Sequence, residues 1–414
     1  MKNIYRSIIT LFAAAAVVAS CDMGEFGDIN VNPNSPSTPY TNMLFTNSCF
    51  RVPSFVCNSN SYDIWMQAWN GYISESKNNQ YGPMQNTVEY GTGSFYTSII
   101  RNLNYIIELN TDEATKDATY VTGFGSNANQ IATCMTLRAF YMMHITDIVG
   151  PLPYSEAWKG DAEDIWQPKF DTQAEIYAQL DKELVEAYAM FDESSSLLAS
   201  NDVLYGGNIS KWKKLNATLR MMMAIKMAEV DPTAGQSRFA KAYNDGGMVD
   251  VADSFTYTFD VKNGSTYALW QQEYQTGGTY NNWVPNETIV ELLKEYKDPR
   301  LFLYCGVDGY KGPLQGASDD FNSYKGVPFG LETNDAVNSA QRGCANIAPR
   351  YFLQEATYGV ITTARCLLVE AEAAVLGWIN ADASKLYEAG IRASFDFELG
   401  QYMNTSPCPE QHVY

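Results

Sequence analysis

Thr146-Asp147-Ile148-Val149-Gly150-Pro151-Leu152-Pro153-Tyr154-Ser155-Glu156-Ala157-Trp158 is the stretch on which the reading of this chain turns. A helical pattern over Asn127 to His144, apolar at Ile131, Met135, Ala139 and Met143, runs into it. No helix passes through it. Gly150 accepts positive φ, Pro151 and Pro153 have no amide hydrogen, and the residue before each proline is driven out of the α region. The spacing predicts a rigid bend that presents Tyr154 and Trp158 on its far side.

Helical spacing also recurs on both sides of the bend. Before it, Tyr62 to Ile73 is apolar at Ile64, Trp65, Ala68, Trp69 and Tyr72; a polar loop holding Tyr81 follows, then a helix over Phe95 to Leu109. After it, Asp171-Thr172-Gln173 caps a helix through Ile176, Leu180, Leu184 and Tyr188, and Ser210 caps Lys211 to Glu229. Helical periodicity fails from Val249 to Pro285, where alternation at Phe255, Tyr257 and Phe259 predicts one strand. A short helix is expected over Glu287 to Tyr296, and Gly306 to Arg350 reads as a second long loop. Ala356 to Trp378 and Ala381 to Glu398 read as an alanine-rich helical hairpin, similar to one tetratricopeptide unit.

At 414 residues the chain can bury a large core, and length alone allows two or three domains. The net charge of −19 argues against nucleic acid, whose phosphates need clustered Lys and Arg, and against docking on an anionic lipid surface. Two histidines, His144 and His412, leave almost no room for histidine triads or His-rich metal sites. His144, on an apolar helix face, reads as a core residue rather than a ligand. Among eight cysteines there is no Cys-x-x-Cys; Cys49 and Cys57 could bridge if the loop between them folds back, and the others past the targeting segment read as buried hydrophobes.

The first twenty residues read as a signal peptide: Lys2 and Arg6, an apolar run from Ile8 to Val18, then Val18-Ala19-Ser20-Cys21. The run is too short to span a bilayer. Its end resembles the lipobox of bacterial lipoproteins, which implies cleavage after residue 20 and a lipid on the Cys21 sulfur. Residues 21–40, rich in Asn and Pro, form a tether.

Three motifs point the same way. Asp147-x-x-Gly150-x-x-Pro153-Tyr154-x-Glu156-Ala157, the run Trp212-Lys213-Lys214-Leu215-Asn216-Ala217-Thr218-Leu219-Arg220 and Asp298-Pro299-Arg300-Leu301 resemble the SusD/RagB family of nutrient-binding outer-membrane lipoproteins, in its SusD-like branch. Ile29-Asn30-Val31-Asn32-Pro33-Asn34 is similar to that family's opening. The resemblance implies a mainly α fold: one SusD-like domain over 41–414, a helical scaffold with tetratricopeptide-like pairs and long irregular binding loops. It also implies an outer-membrane position facing the cell exterior, and a SusC-like TonB-dependent transporter as partner. Family members usually continue past the alanine-rich hairpin, so the domain is expected to be short at its C-terminus.

The candidate site is a Gly/Asn/aromatic segment. Sugar rings pack C–H patches on indole or phenol faces, while their hydroxyls bond to amides. Trp270, Tyr280 and Trp283 beside Asn281 and Asn282 supply both groups, and Tyr81 joins them from the earlier loop. Trp65 and Trp69, four apart on an apolar stripe, read as core. The expected activity is capture of an oligosaccharide without catalysis, cofactor or metal.

Competing signals are weaker. Gly123-Phe124-Gly125-Ser126-Asn127-Ala128 has the letters of a dinucleotide loop but needs a buried strand before it. Glu370 and Glu372, two apart on a helix, cannot face one substrate. A distant carboxylate pair would make the chain a glycoside hydrolase, and a peptide-binding family member is a further alternative. Asp308 and Asp319-Asp320 lack EF-hand spacing and read as solvated rather than Ca²⁺-binding.

Overall fold

The computed structural model describes residues 40–53, 67, 70–75, 95–197, 200–260, 283–306, 318, 320–328, 343–348 and 356–404, without the side chains of 75, 95, 161, 283 and 401–404. In chain order these form α1 (Thr41–Phe50), β1 (Ile73–Glu75), a π-helical turn (Phe95–Ile100) entering α2 (Arg101–Thr111), the one-turn α3 (Thr119–Thr122) and α4 (Asn127–Val149). Then come the one-turn α5 (Gly160–Glu163), α6 (Gln173–Met190), α7 (Ile209–Ile225), α8 (Pro232–Asp245), β2 (Phe255–Thr258) and β3 (Trp283–Pro285). The chain continues with α9 (Glu287–Glu295), α10 (Leu301–Tyr304), β4 (Cys305–Gly306), β5 (Asn346–Ile347), β6 (Thr357–Ile361), α11 (Thr363–Val375) and α12 (Ala383–Asn404). Among the described residues the fold is mainly helical, with the strands in antiparallel ladders β1–β3, β2–β6 and β4–β5.

Helix α4 is buried around most of its circumference, from Ala132 and Leu137 to Phe140, Tyr141, Met142 and Ile145, so it is a central helix rather than an amphipathic one. It packs on α2, α6 and α7; α1 lies on α2, α8 and α11 lie on α7, and α12 on α11. This succession of packed neighbours makes the mainly helical scaffold that the sequence leads one to expect. Asn216 staples three helices together, its Nδ2 donating to Leu184 O on α6 (3.0 Å) and Thr136 Oγ1 on α4 (3.2 Å).

Several boundaries correct the expectations. Helix α4 runs on to Val149, because the first true stop is Gly150 at φ 77°, whose amide donates to Thr146 O. Helix α7 is capped by Asn208, which accepts from Lys211 N (3.1 Å), and not by Ser210. Residues 357–361 form a strand instead of the start of a helix: the β-branched Val360, Ile361 and Thr362 favour extended backbone, and the segment pairs with β2. The helix expected to reach Ile73 does not, since Ile73 begins β1; Trp65 and Trp69 lie outside the described residues. Helix α8 escapes the periodicity because it buries only Gly235, Phe239 and Ala242.

The bend is rigid, but Tyr154 is buried behind it and Trp158 half-buried. Asp171 Oδ2 accepts the amides of Tyr154 (3.0 Å) and Ser155 (2.7 Å), and Oδ1 the Ser155 hydroxyl (2.7 Å). Burial raises the Asp171 carboxyl, but hydrogen bonds from Ser155, Lys169 and Tyr154 outweigh it and hold it down at about 2. Tyr154 is buried, and its hydroxyl donates to Glu183 Oε2 (2.5 Å), which Arg138 also contacts (2.9 Å). Trp158 stacks on Tyr96 at 5.1 Å and donates its indole N–H to Tyr96 O (3.1 Å). Both rings gain more from packing on the helices than from facing solvent, so the expected display of Tyr154 and Trp158 does not occur.

Candidate functional site

The predicted binding segments depart from one place, the β1–β3 ladder. Its register sets Glu75 against Trp283, Ser74 against Val284 and Ile73 against Pro285. Because the strands are antiparallel, the end of β1 and the start of β3 lie together. Residues 76–94, which include Tyr81, therefore begin where residues 261–282, which include Trp270, Tyr280, Asn281 and Asn282, end. Trp283 itself occupies the last rung.

Asn286 fixes that ladder. It is fully buried; its Oδ1 accepts from Thr288 N (2.7 Å), capping α9, and its Nδ2 donates to Ser74 Oγ (2.8 Å). Ser74 Oγ donates onward to Val327 O (3.1 Å), while Val327 N bonds to Pro285 O (2.9 Å) and Glu287 N to Val327 O (3.0 Å). A third segment, 324–328, is thus stitched to the same ladder. Sequence reasoning missed Asn286 and Ser74; the available signal was an Asn immediately before Glu287-Thr288 at a helix start. Arg300 ties this region to the scaffold, forking onto Asp298, donating to Ser394 Oγ on α12 (2.8 Å) and lying over the Phe395 ring at 4.5 Å.

The side chains of the predicted ligand residues Trp283, Tyr280, Trp270, Tyr81, Asn281 and Asn282 lie outside the described residues, as does Cys21. The motifs that carried the resemblance are structural. Trp212 Nε1 donates to Asp202 (2.7 Å), Lys213 and Lys214 reach Glu193 and Asp253, and Arg220 pairs with Asp245 and Asp181. Asp147 accepts from Tyr177, Gln173 and Lys226.

Other candidates fall away on geometry. Thr119–Thr122, before the Gly-rich letters, is a helical turn rather than a buried strand, which removes the dinucleotide reading. Glu370 is buried at 5% exposure and accepts from the Cys366 thiol at 3.6 Å; burial pushes its carboxyl up to about 7. Glu372 points outward, as the spacing predicts. A pKa near neutrality suits a general acid, but this carboxyl faces the packed interior between α7 and α11. Cys49 is a free, buried thiol, and Asp320 caps a turn by accepting from Asn322 N (2.9 Å); Cys57, Asp308 and Asp319 lie outside the described residues. No group of three or more His, Cys, Asp or Glu among the described residues is placed to hold a metal. A cavity of about 20 Å³ beside Thr41, Phe45, Gln130 and Thr133 has room for one water, not a sugar ring.

Among the described residues, fold and ladder together define a helical scaffold with a short two-stranded ribbon. No helix among the described residues is long and apolar enough to cross a membrane. Residues 33–408 match the SusD-like family described as "Starch-binding associating with outer membrane". The chain belongs to this family, whose members are as a class binding proteins of the outer membrane. The fold is similar to that of a chitin-binding protein (TM-score 0.70, 22% identity, 89% of this chain and 77% of that one). It is also similar to a SusD homolog from Bacteroides fragilis (0.69, 22%, 89% and 75%) and to a chitin-binding SusD homolog from Flavobacterium johnsoniae (0.67, 22%, 86% and 71%). At these identities the likeness is one of fold. No curated protein matches the chain in sequence.

Proposed function

We propose that this protein is a lipoprotein of the outer membrane, held by lipid on Cys21 after loss of residues 1–20. It captures an oligosaccharide at the cell exterior and passes it to a SusC-like TonB-dependent transporter without chemical change. The contacts are stacking on Trp283, Tyr280, Trp270 and Tyr81, with hydrogen bonds from Asn281 and Asn282. The observation that carries this reading is the Glu75–Trp283 register. The two chain segments that carry Tyr81 and Tyr280 are anchored side by side there, and at no more than about 3.6 Å of reach per residue this supports one shared site. The family's description as starch-binding supports the ligand class.

Titration with maltoheptaose and chitohexaose tests it. Trp283→Ala should weaken binding by roughly 1–3 kcal/mol, the scale of one lost aromatic contact, with the melting temperature unchanged. An unaltered titration curve removes Trp283 from the site. Reducing ends released by the pure protein would replace capture with hydrolysis.

A further inference from the structure

The connection from the bend to α6 carries an aromatic that the packing does not use. Trp166 is 69% exposed and Phe170 70%. Apart from Ala162, their exposed neighbours in sequence are polar: Glu163, Asp164, Gln167 and Lys169. An exposed indole ordinarily samples several rotamers, but this one is held. Its Nε1–H donates to Asp164 Oδ1 (2.6 Å), and Asp164 sits at φ 58°, a left-handed conformation uncommon outside glycine. The ring edge lies on Gly160, where a Cβ would meet its carbons at 3.0 Å and the ring would have to give by a few tenths of an ångström. The connection is pinned at both ends. The Lys159–Glu163 ion pair (3.2 Å) holds its entry, and Lys169 N bonding to Glu156 Oε2 (2.9 Å) holds its exit.

A hydrogen bond and a backbone contact favour one rotamer of the exposed ring before any ligand arrives, which lowers the entropy cost of binding. The rim decides the occupant. The hot-spot tryptophan of a protein interface lies in surroundings depleted of charge. Here the Asp164 carboxylate sits at the edge of an exposed indole, in a stretch that is mostly polar, which suits a pyranose with C–H faces and hydroxyl edges. We propose that Trp166, on the connection between the bend and α6, forms a second, shallow glycan contact. A shallow face grips one ring only, so it acts on polymers, where a tethered second contact raises retention. This inference rests on the reading of the chain as a glycan binder.

The experiment is adsorption of the full-length protein, in detergent, to granular starch and to chitin, beside solution titration with maltoheptaose and chitohexaose. Trp166→Ala should lower polymer adsorption about two- to tenfold, the range for one aromatic contact, and leave oligosaccharide affinity and melting temperature unchanged. Trp166→Phe should recover part of the loss. Undiminished adsorption by Trp166→Ala overturns the platform, and so does an equal loss on polymer and oligosaccharide. If Trp283→Ala abolishes binding while Trp166→Ala has no effect, only this inference fails. If the unaltered protein adsorbs to neither polymer and binds neither oligosaccharide, the functional reading fails with it.

Discussion

The helical scaffold and the strand-built corner of this protein are held by different means. One apolar cluster runs through the scaffold, from Phe45 on α1 through α4, α6 and α7 to Cys366 and Ala373 on α11. Around β1, β3 and α9 the clusters are small: Val284, Val327 and Cys344 in one, Val290, Leu293, Leu301, Cys305, Tyr324 and Ala345 in another. There the geometry hangs on a few polar side chains, Asn286 above all. A deep core spreads its stability over many contacts, whereas a shallow one concentrates it in single hydrogen bonds. Segments that meet ligand are drawn from the less stable parts of a fold, and the proposed site lies on the shallow corner.

The comparison can be broken at either end. Trp212 is fully buried against Phe45 and Tyr205 and donates to Asp202. Trp212→Ala is expected to cost about 4 kcal/mol in urea unfolding, across the whole scaffold. A loss below about 1 kcal/mol would show that the cluster is not where stability resides. Asn286→Ala should cost about 2–3 kcal/mol, from the lost cap and the lost bond to Ser74. Its effect should stay local: amides of α9 exchange faster with solvent while those of α4 do not. Equal acceleration in both helices would merge the two regions into one cooperative unit.

The smallest effect tests the polar clamp within the scaffold. Asp171 has a folded pKa of about 2, below its ordinary 3.8. Its contribution is therefore complete above about pH 4 and is lost as the pH falls toward 2. Unfolding free energies should drop by up to about 2 kcal/mol across that window, and Asp171→Asn should flatten the drop. An unchanged slope in the variant would assign acid sensitivity to other carboxylates.

What the chain betrays in advance is whatever has a local steric cause. Gly150, Pro151 and Pro153 stop a helix by their own backbone chemistry, and Thr172 with Glu175 makes the capping box that its spacing suggests. Strand β6 and helix α8 are less legible, since their pattern is set by what they pack against. The β1–β3 pairing has no local signature at all. Nor does composition distinguish Trp158, stacked inside on Tyr96, from Trp166, standing in solvent; only the fold separates them. The aromatic segments are proposed as a site from rings beside amides, and their shared point of departure comes from the register.

Ser74 and Asn286, joined by one hydrogen bond, are 212 residues apart. Closing so long a loop for so few contacts is slow, so the corner is expected to assemble after the bundle, which refolding followed by pulsed hydrogen exchange would check. Changes made there speed its opening but do not delay the bundle. A lineage can therefore rewrite what it catches without rewriting how it folds.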